Sequence, residues 1–545
     1  MIHKVLNHRT KSSTSAGLVL AGASLLSAFL GLIRNRLIAG GFDPIERDIY
    51  FAALRVPSFI STVLIMGAIS IAVVPLFREY SQHSEKEGWL FLSAVMNQLP
   101  LFLAVISSIL IILAPQVIAI ITPGFAATVQ AEIVWLMRVM LLTPMILGLS
   151  TAISGTLQCF DRFLASSLAP VFHNLGVIAG IIILVPWMGL VGLAWGMVLG
   201  ALLHLAIQLP SFFSLRSDQP PVFAWRHVGL KKLFALATPR SLTVIFGQTN
   251  LLVVTAVASM LAIGSISVYN LAGDFSQALT RLVGVSFSAA IFPSMALSFA
   301  RRDKTKLCRD FITSFRQILF LIIPSSVLFF LMRAHLVRIV LGTGKFSWGD
   351  TRLTAACLGL FCLGIFAQAL VTLVSRTFSA MQDNKTPAWI ALCSVLLNIV
   401  LIFLFINLLG QPGWFQQGVG SIMKIQDISD IRIVGLPLAF SLSNIFHLLL
   451  LVFILKKRWA MPFMKELAGF FLRTAIASLV MGICVYASLH LMAPQVDMQR
   501  VVGLVTQVSV ALAVGLLSYI LISLKLNRAE LVQFLGAIKQ EFKKR

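Results

Sequence analysis

The sequence predicts an all-α polytopic membrane protein of about 14 transmembrane helices, arranged as two six-helix lobes in parallel repeat plus two C-terminal helices. Three observations support this prediction: long apolar segments, basic loops that alternate along the chain, and short patterns that recur in its second half. Hydrophobic residues make up 58% of the 545 residues, and only 12% are Asp, Glu, Lys or Arg. Little sequence remains for a soluble domain.

Each transmembrane helix is predicted from segment length. A helix of about 20 predominantly apolar residues crosses a bilayer, and about fourteen segments of the chain meet this requirement. In chain order they are residues 16–39, 50–77, 90–113, 130–158, 163–183, 187–213, 234–260, 266–298, 312–332, 352–380, 386–408, 432–455, 467–490 and 502–524. The first segment follows basic residues, as in a signal peptide, but it is too long and leads into Arg34 and Arg36 instead of a cleavage site. We interpret it as a retained helix.

The net charge of +23 is explained by membrane topology and not by nucleic-acid binding. Lys and Arg concentrate in alternate loops, on the side that holds both termini, as the positive-inside rule predicts for cytoplasmic loops. We therefore expect both termini to be cytoplasmic and the basic loops to attract anionic membrane lipids. The strongest basic clusters lie at residues 301–309, 456–458 and 539–545.

The residues do not predict an enzyme, a metal site or a cofactor. The six cysteines form no C-x-x-C pair, and no histidine cluster accompanies them. No phosphate-binding G-x-x-x-x-G-K-[ST] loop is present. Asp274 is the one carboxylate deep in a predicted span, and a single carboxylate cannot build a Mg²⁺ site. His173 and His204 are interpreted as interhelical hydrogen-bonding residues.

Short patterns recur in the second half of the chain, in the same order as in the first. Span 2 ends in S-x-A-x-x-P at residues 70–75, and span 8 ends in the same pattern at residues 288–293. Further matches pair residues 154–156 with 375–377, Asn174 with Asn398, and 193–195 with 438–440. Each match is weak alone, but the shared order indicates an internal repeat.

Six spans followed by six in the same orientation form a parallel repeat. We place the N-terminal lobe at residues 1–215, the C-terminal lobe at 216–460, and the last two helices with a basic tail at 461–545. Transporters with internal repeats bind their substrate near the bilayer midplane, at the interface between the repeats. We therefore expect spans 1, 2, 7 and 8, which carry most of the deep charge, to line a cavity.

Charged side chains inside the spans indicate the kind of substrate. An arginine at the centre of a membrane helix costs about 2.5–3.5 kcal/mol on insertion scales and usually faces a cavity. Arg138, Arg240 and Arg376 lie near span ends, where the side chain can reach the headgroups. Guanidinium groups bind phosphate bidentately, so a basic cavity suits an anionic substrate. The predicted substrate-binding residues are Arg34, Arg36, Asp48, Arg55, Asp274 and Arg281.

Several motifs resemble the MurJ (MviN) family of lipid II flippases, part of the multidrug/oligosaccharidyl-lipid/polysaccharide exporter (MOP) superfamily. The matching segments are SAFLGLIR at 27–34, RVP at 55–57, VPLFREY at 74–80, GKF at 344–346, RTFSA at 376–380 and DNKTP at 383–387. The likeness extends over about residues 16–455. It implies two six-helix lobes around a cationic cavity, a groove for the lipid tail at the two extra helices, and a place in the bacterial inner membrane.

Some charged positions depart from the pattern of that family. These positions are Ala28, Ser61 and Asp274, where the family typically has Arg, and Asn35 and Met66, where it typically has an acid. Arg34 and Asp48 match charged cavity positions, and Arg55 matches a basic one. Arg36 and Arg281 would replace part of the missing positive charge, in an arrangement different from that of the family.

The leading hypothesis is a flippase that translocates undecaprenyl-pyrophosphate-linked peptidoglycan precursor (lipid II) across the cytoplasmic membrane by alternating access. The expected partner is this lipid-linked saccharide, and the protein is expected to act as a monomer. Two alternatives are an exporter of another lipid-linked oligosaccharide or amphiphile, and a non-transporting scaffold for cell-wall enzymes. No nucleic-acid partner and no cofactor is expected.

Overall fold

The structure, a computed structural model, describes the backbone of residues 13–63, 70–216, 224–459, 463–497, 500–532 and 536. All regular secondary structure in these ranges is helical. The chain folds into two compact units. The first contains Met1–Ser267 and Thr343–Phe346, and the second contains Val268–Gly342 and Ser347–Arg545.

The first unit holds the helices of the N-terminal half together with the predicted seventh span. The helices that begin in it are α1 (Ser13–Gly41), α2 (Pro44–Ile60), α3 (Ser70–His83), α4 (Glu85–Ile112), α5 (Ala114–Ile121), α6 (Ala127–Met140), α7 (Leu142–Cys159), α8 (Phe163–Ile183), α9 (Val185–Met188), α10 (Leu190–Ala206), α11 (Leu209–Arg216), α12 (Val228–Ser259) and α13 (Ser265–Thr280).

The second unit holds the rest of the described chain. A π-helix at Arg281–Val285 and 3₁₀ turns at Arg432–Val434 and Ala493–Gln495 lie among its α-helices. These helices are α14 (Ser286–Ala300), α15 (Lys304–Leu331), α16 (Arg333–Leu341), α17 (Trp348–Cys362), α18 (Ile365–Ala380), α19 (Lys385–Gly410), α20 (Trp414–Met423), α21 (Gly435–Trp459), α22 (Phe463–Met492) and α23 (Val501–Leu526).

The predicted spans coincide with helices. In the described residues, ten helices are long and apolar enough to cross a membrane, or eleven if the bent pair α17 and α18 counts as one span. The three other predicted spans, 16–39, 50–77 and 234–260, fall on α1, on α2 with α3, and on α12. The all-α membrane fold is therefore confirmed, and a total of fourteen spans is compatible with it.

The same elements occur in both halves, in the same order. Helices α4 and α15 each have 28 residues, and each starts at a side-chain cap. The Ser84 hydroxyl accepts a hydrogen bond from the Glu87 amide at 3.1 Å, and the Asp303 carboxylate accepts one from the Lys306 amide at 2.9 Å. Such caps satisfy amides that lack a partner inside the helix. A short helix follows each of them, α5 or α16.

The loops after α7 and α18 also match. Each contains a residue with positive φ, Asp161 at 57° and Gln382 at 61°. The next residue then fastens the loop to a later helix of its own half. Arg162 donates to the Ser211 carbonyl at 2.8 Å, and Asp383 forms an ion pair with Arg458. These equivalent contacts support the parallel repeat.

π-helical turns extend the equivalent helices α2 and α13. In the first half they occupy residues 61–63, and in the second half Arg281–Val285. A π turn inserts an extra residue into a helix and is frequent at functional sites. Ser61 and Arg281 each begin such a turn. Nothing in the sequence predicted these turns.

The boundaries of the lobes stay a prediction. The first compact unit extends through α12 to Ser267, whereas the repeat places a boundary at residues 215–216. The predicted boundary at 460–461 falls on residues outside the described ranges, as do Met66 and the basic tail at 539–545. The side chain of Arg240 also lies outside what the structure describes.

Candidate anion-binding site

The best-defined candidate site surrounds Arg34 in the first unit. Arg34 is half-buried on α1, two turns before the end of that helix. Its Nη1 donates to Oδ1 of Asn174 at 3.3 Å, and its Nη2 and Nε donate to Oδ1 of Asn35 at 3.1 and 3.3 Å. The guanidinium of Arg34, a predicted substrate-binding residue, is therefore held by two amide oxygens.

Asn174 is itself fixed in place. It is 8% exposed, and its Nδ2 donates to the Ser27 hydroxyl at 3.1 Å, the Ser27 carbonyl at 3.2 Å and the Pro170 carbonyl at 3.1 Å. These contacts join α8 to α1 and point the amide oxygen toward Arg34. A buried polar group needs such partners because burying it unpaired costs free energy.

The backbone of α8 lies close to that of α10. A Cβ added to Gly180 would lie 2.2 Å from the Cα of Gly196, and one added to Gly176 would lie 2.5 Å from the Cα of Gly200. Small residues allow membrane helices to approach in this way. The glycines thus hold α8, and Asn174 with it, against a neighbouring helix.

A second polar network joins α7 to α10. His204 Nδ1 lies 2.7 Å from the Ser150 hydroxyl, which accepts a hydrogen bond from Gln208 at 2.8 Å. Ser154 donates to the Gln208 side-chain oxygen at 2.6 Å. The interpretation of His204 as an interhelical hydrogen-bonding residue is confirmed by this geometry. The ring of His173 lies 6.4 Å from that of His204, centroid to centroid.

Arg55 lies on another helix pair of the first unit. It is half-buried on α2, and its Nε donates to the Thr255 hydroxyl on α12 at 2.8 Å. Thr255 donates in turn to the Leu251 carbonyl at 2.8 Å. Like Arg34, Arg55 is therefore oriented by a neutral oxygen.

Asp48 has a structural contact that the sequence did not predict. The residue is 1% exposed, and its two carboxylate oxygens accept hydrogen bonds from the Gly264 and Ser267 amides, both at 2.7 Å. These amides lie at the start of α13, where helical amides have no carbonyl partner within the helix. Asp48 therefore caps α13 from α2. Its role as a substrate ligand stays a prediction.

The remaining predicted site residues are divided between the two units. Arg36 is half-buried on α1 of the first unit. Asp274 is half-buried on α13, and Arg281 is exposed at the start of the π-helix, both in the second unit. That all six predicted residues form one site stays a prediction.

Arg138 and Arg376 were expected to lie near span ends. Arg138 is half-buried on α6, and its Nε donates to the Ile111 carbonyl in the last turn of α4 at 3.1 Å. It thereby pairs with a carbonyl that has no partner within that helix. Arg376 is half-buried near the end of α18. No group of three or more His, Cys, Asp or Glu side chains that could hold a metal ion occurs among the described residues.

The sequence did not reveal the two asparagines as partners of Arg34. Asn174 stood out as a repeat marker and as part of a match to the family, and Asn35 as a departure from the family pattern. The available signal was an amide inside an apolar span, since a buried amide requires hydrogen-bond partners. Which partner it takes depends on how the helices pack.

Repeated sets of apolar helices, with arginines inside the spans, define a polytopic membrane protein of the parallel-repeat transporter class. The family model described as the lipid II flippase MurJ matches residues 41–506. The chain belongs to the MurJ family.

Relatives and solved structures agree with this assignment. The chain is 28% identical over 420 residues to the lipid II flippase MurJ of Burkholderia cenocepacia, covering 75% of this chain and 81% of that protein. It is 26% identical over 475 residues to a probable lipid II flippase MurJ of Buchnera aphidicola, covering 86% and 89% of the two chains.

Two solved structures share the fold. The inward closed conformation of lipid II flippase MurJ has a TM-score of 0.74 at 24% identity, covering 94% of this chain and 99% of that one. An inward-facing multidrug resistance MATE family transporter of the MOP superfamily has a TM-score of 0.64 at 13% identity, covering 81% and 98%.

Proposed function

We propose that this protein is a flippase that moves lipid II, the undecaprenyl-pyrophosphate-linked peptidoglycan precursor, across the cytoplasmic membrane by alternating access. Membership of the MurJ family supports the substrate. The observation that carries the proposal is the guanidinium of Arg34, which lies inside a membrane span and is oriented by amide oxygens instead of a carboxylate. Such a group keeps its positive charge for an anion.

The pyrophosphate of the substrate is the anion that suits this site. Charge-assisted hydrogen bonds between guanidinium and phosphate are short and about twice as strong as neutral ones. Arg34 is proposed to bind the pyrophosphate, with Arg55 as a second oriented cation. The saccharide headgroup would enter with the pyrophosphate while the lipid tail stays in the bilayer. Arg36 and Asp48 of the first unit, and Asp274 and Arg281 of the second, are proposed as further substrate-binding residues.

The orientation in the membrane follows from the basic loops. We propose that both termini are cytoplasmic and that the loop around Arg301 contacts anionic lipid headgroups. Arg301, Arg302 and Lys304 are exposed there, and basic residues beside the bilayer are attracted by about 1 kcal/mol each. We also propose that the protein acts as a monomer.

Complementation tests the proposal. Expression of this gene should restore growth to a bacterial strain depleted of its own lipid II flippase. The purified protein in liposomes should move fluorescent lipid II to the opposite leaflet. Failure of both assays, with normal membrane insertion, would overturn the proposal. That double failure would favour the non-transporting scaffold, whereas movement of another lipid-linked oligosaccharide alone would favour the other exporter.

A further inference from the structure

The connection between α19 and α21 contains the largest insertion between the matched patterns of the repeat. Asn174 is matched with Asn398, and residues 193–195 with 438–440, so the second half is 21 residues longer between these points than the first. The corresponding connection of the first half contains α9, a helix of four residues. The second half contains α20, a helix of ten residues. The backbone plan that the two halves share therefore does not require α20.

Helix α20 is attached to its neighbours at both ends. The ring of Phe415 stacks on that of Phe405 in α19, with centroids 5.9 Å apart and planes inclined by 8°. Just after the helix, Arg352 of α17 donates to the Lys424 carbonyl at 3.1 Å and to the Asp427 carboxylate at 2.6 Å. These contacts lie within the second unit. They set the direction in which each face of α20 points.

One edge of α20 presents large apolar side chains that are mostly exposed. Trp414 is 85% exposed and Ile422 is 65% exposed. They lie two helical turns apart and therefore on the same side of the helix. Gly418 lies between them, and a Cβ there would meet nothing within 4 Å. Gln417 and Ser421 are exposed on the adjacent, polar side. We call Trp414, Gly418 and Ile422 the apolar edge.

The apolar edge continues a surface that faces lipid. Helix α19 is long and apolar enough to cross a membrane, and a large exposed apolar patch on such a helix marks contact with the bilayer. Its exposed apolar side chains recur every three or four residues, and they are Leu396, Val400, Phe403, Leu404 and Leu408. Since α19 ends at Gly410, Trp414 follows directly where this surface reaches the boundary between membrane and water. Tryptophan is enriched at that boundary.

We propose that α20 is an interfacial helix whose apolar edge inserts into the outer leaflet, between the phospholipid headgroups and the acyl chains. Amphipathic helices that lie on a membrane bury their apolar face by about 5–10 Å. The ten residues of α20 include no charged side chain, so apolar contact and not headgroup charge holds the helix there. The outer leaflet follows from the proposed orientation of the chain.

Cysteine labelling in nanodiscs tests this proposal, because both faces of a nanodisc are open to water whichever way the protein is oriented. A charged, membrane-impermeant maleimide reacts with cysteines in water and not with those in lipid. We expect Trp414→Cys and Ile422→Cys to react about tenfold or more slowly than Gln417→Cys and Ser421→Cys. The last two are the matched controls, since all four side chains are exposed in the protein. Labelling of the unsubstituted protein gives the background from its own cysteines.

Two further measurements examine the lipid contact itself. Brominated phosphatidylcholine should quench a component of the tryptophan emission that is present in the unsubstituted protein and absent from Trp414→Phe. The labelling rates should be the same in discs of phosphatidylcholine alone and in discs that also contain phosphatidylglycerol, because α20 carries no charge. Thermal unfolding of each variant in the same discs shows that the fold is retained.

The possible results decide for or against the interfacial helix. Fast labelling at all four positions would place α20 in water, overturn the proposal and leave the apolar edge to a protein partner. Slow labelling at all four would bury the whole helix and overturn it as well. Protection that requires phosphatidylglycerol would contradict the apolar contact. None of these results depends on whether the protein moves lipid II.

Discussion

At the scale of single residues, Arg34 shows how a charge can be kept inside a membrane protein. Placing an arginine at the centre of a membrane helix costs about 2.5–3.5 kcal/mol. A hydrogen bond to a charged group contributes about 1.5–3 kcal/mol, so the bonds to Asn35 and Asn174 are large enough to offset that cost. Among the described residues, the guanidinium is thus stable without an ion-pair partner.

Substitution of Arg34 should abolish function without unfolding the protein. We expect Arg34→Ala to fail in complementation of a flippase-depleted strain, and Arg34→Lys to retain little activity because an ammonium group lacks the planar fork. Arg138→Ala removes an arginine that bonds a helix-end carbonyl and should retain activity. Full growth with Arg34→Ala would exclude Arg34 as a headgroup ligand.

Substitution of Asp48 should lower the stability of the protein. Both carboxylate oxygens accept amide hydrogen bonds at 2.7 Å, and a buried amide left without a partner costs about 1–3 kcal/mol. We expect Asp48→Ala to lower the unfolding temperature of the purified protein clearly, and Asp48→Asn to lower it less because one oxygen remains. An unchanged unfolding temperature together with lost lipid II binding would instead make Asp48 a ligand.

At the scale of helices and loops, the sequence predicted where the helices lie along the chain better than it predicted the side-chain contacts between them. The spans were predictable because a bilayer sets a minimum apolar length, and the helices fall where those segments lie. The repeat was predictable from short patterns, and matched caps at Ser84 and Asp303 support it. The Asn35–Arg34–Asn174 contacts were not predictable, since they depend on how α8 packs on α1. The π turns depend likewise on the folded backbone.

The segment Thr343–Phe346 offers a test of a loop contact within the first unit. The Lys345 amide donates to the Gly40 carbonyl at 2.9 Å, and its side chain pairs with Asp43 at 2.7 Å. Gly344 has a φ of 57°, and a Cβ there would lie 2.2 Å from the Gly40 carbonyl oxygen. Residues with side chains in such backbone regions cost about 1–3 kcal/mol.

We therefore expect Gly344→Ala to lower the unfolding temperature of the purified protein. Gly418→Ala is the matched control, because a Cβ at Gly418 would meet nothing within 4 Å and alanine favours helices over glycine. The control should be neutral or slightly stabilising. Equal unfolding temperatures for the two variants would show that the glycine at position 344 is not required.

At the scale of the whole molecule, the two halves share their backbone plan but not their charges. The helices α4 and α15 have equal lengths, and the loops after α7 and α18 have equivalent positive-φ residues. In contrast, Arg34 and Arg55 in the first unit are oriented by neutral oxygens, whereas the second unit contributes Asp274 and Arg281. The two halves of the repeat therefore have the same backbone fold but differ in their charged side chains.

Asp274→Arg tests whether this charge distribution is functional. The change removes one negative charge and adds one positive charge in membrane-spanning helices that already carry deep arginines. Each arginine inside a span costs about 2.5–3.5 kcal/mol unless a cavity hydrates it. We expect Asp274→Arg to impair complementation and Asp274→Asn to be milder, because the amide removes charge without reversing it. Glu132→Arg makes the same charge change at an exposed position on α6 and should be tolerated.

A double-mutant cycle then shows what Asp274 does. Asp274 and Arg281 lie seven residues, or two helical turns, apart in sequence. One hypothesis is that Asp274 does nothing more than balance the positive charge of Arg281. In that case Asp274→Asn should have no further effect on lipid II transport in a protein that already carries Arg281→Gln. In a protein that carries Arg34→Lys, Asp274→Asn should reduce the residual transport by the same factor as in the wild-type protein. Because independent sites give additive effects, additivity with Arg281→Gln would show that Asp274 acts on the transport cycle apart from Arg281. Undiminished growth of the complemented strain with Asp274→Arg would show that Asp274 is not a substrate-binding residue.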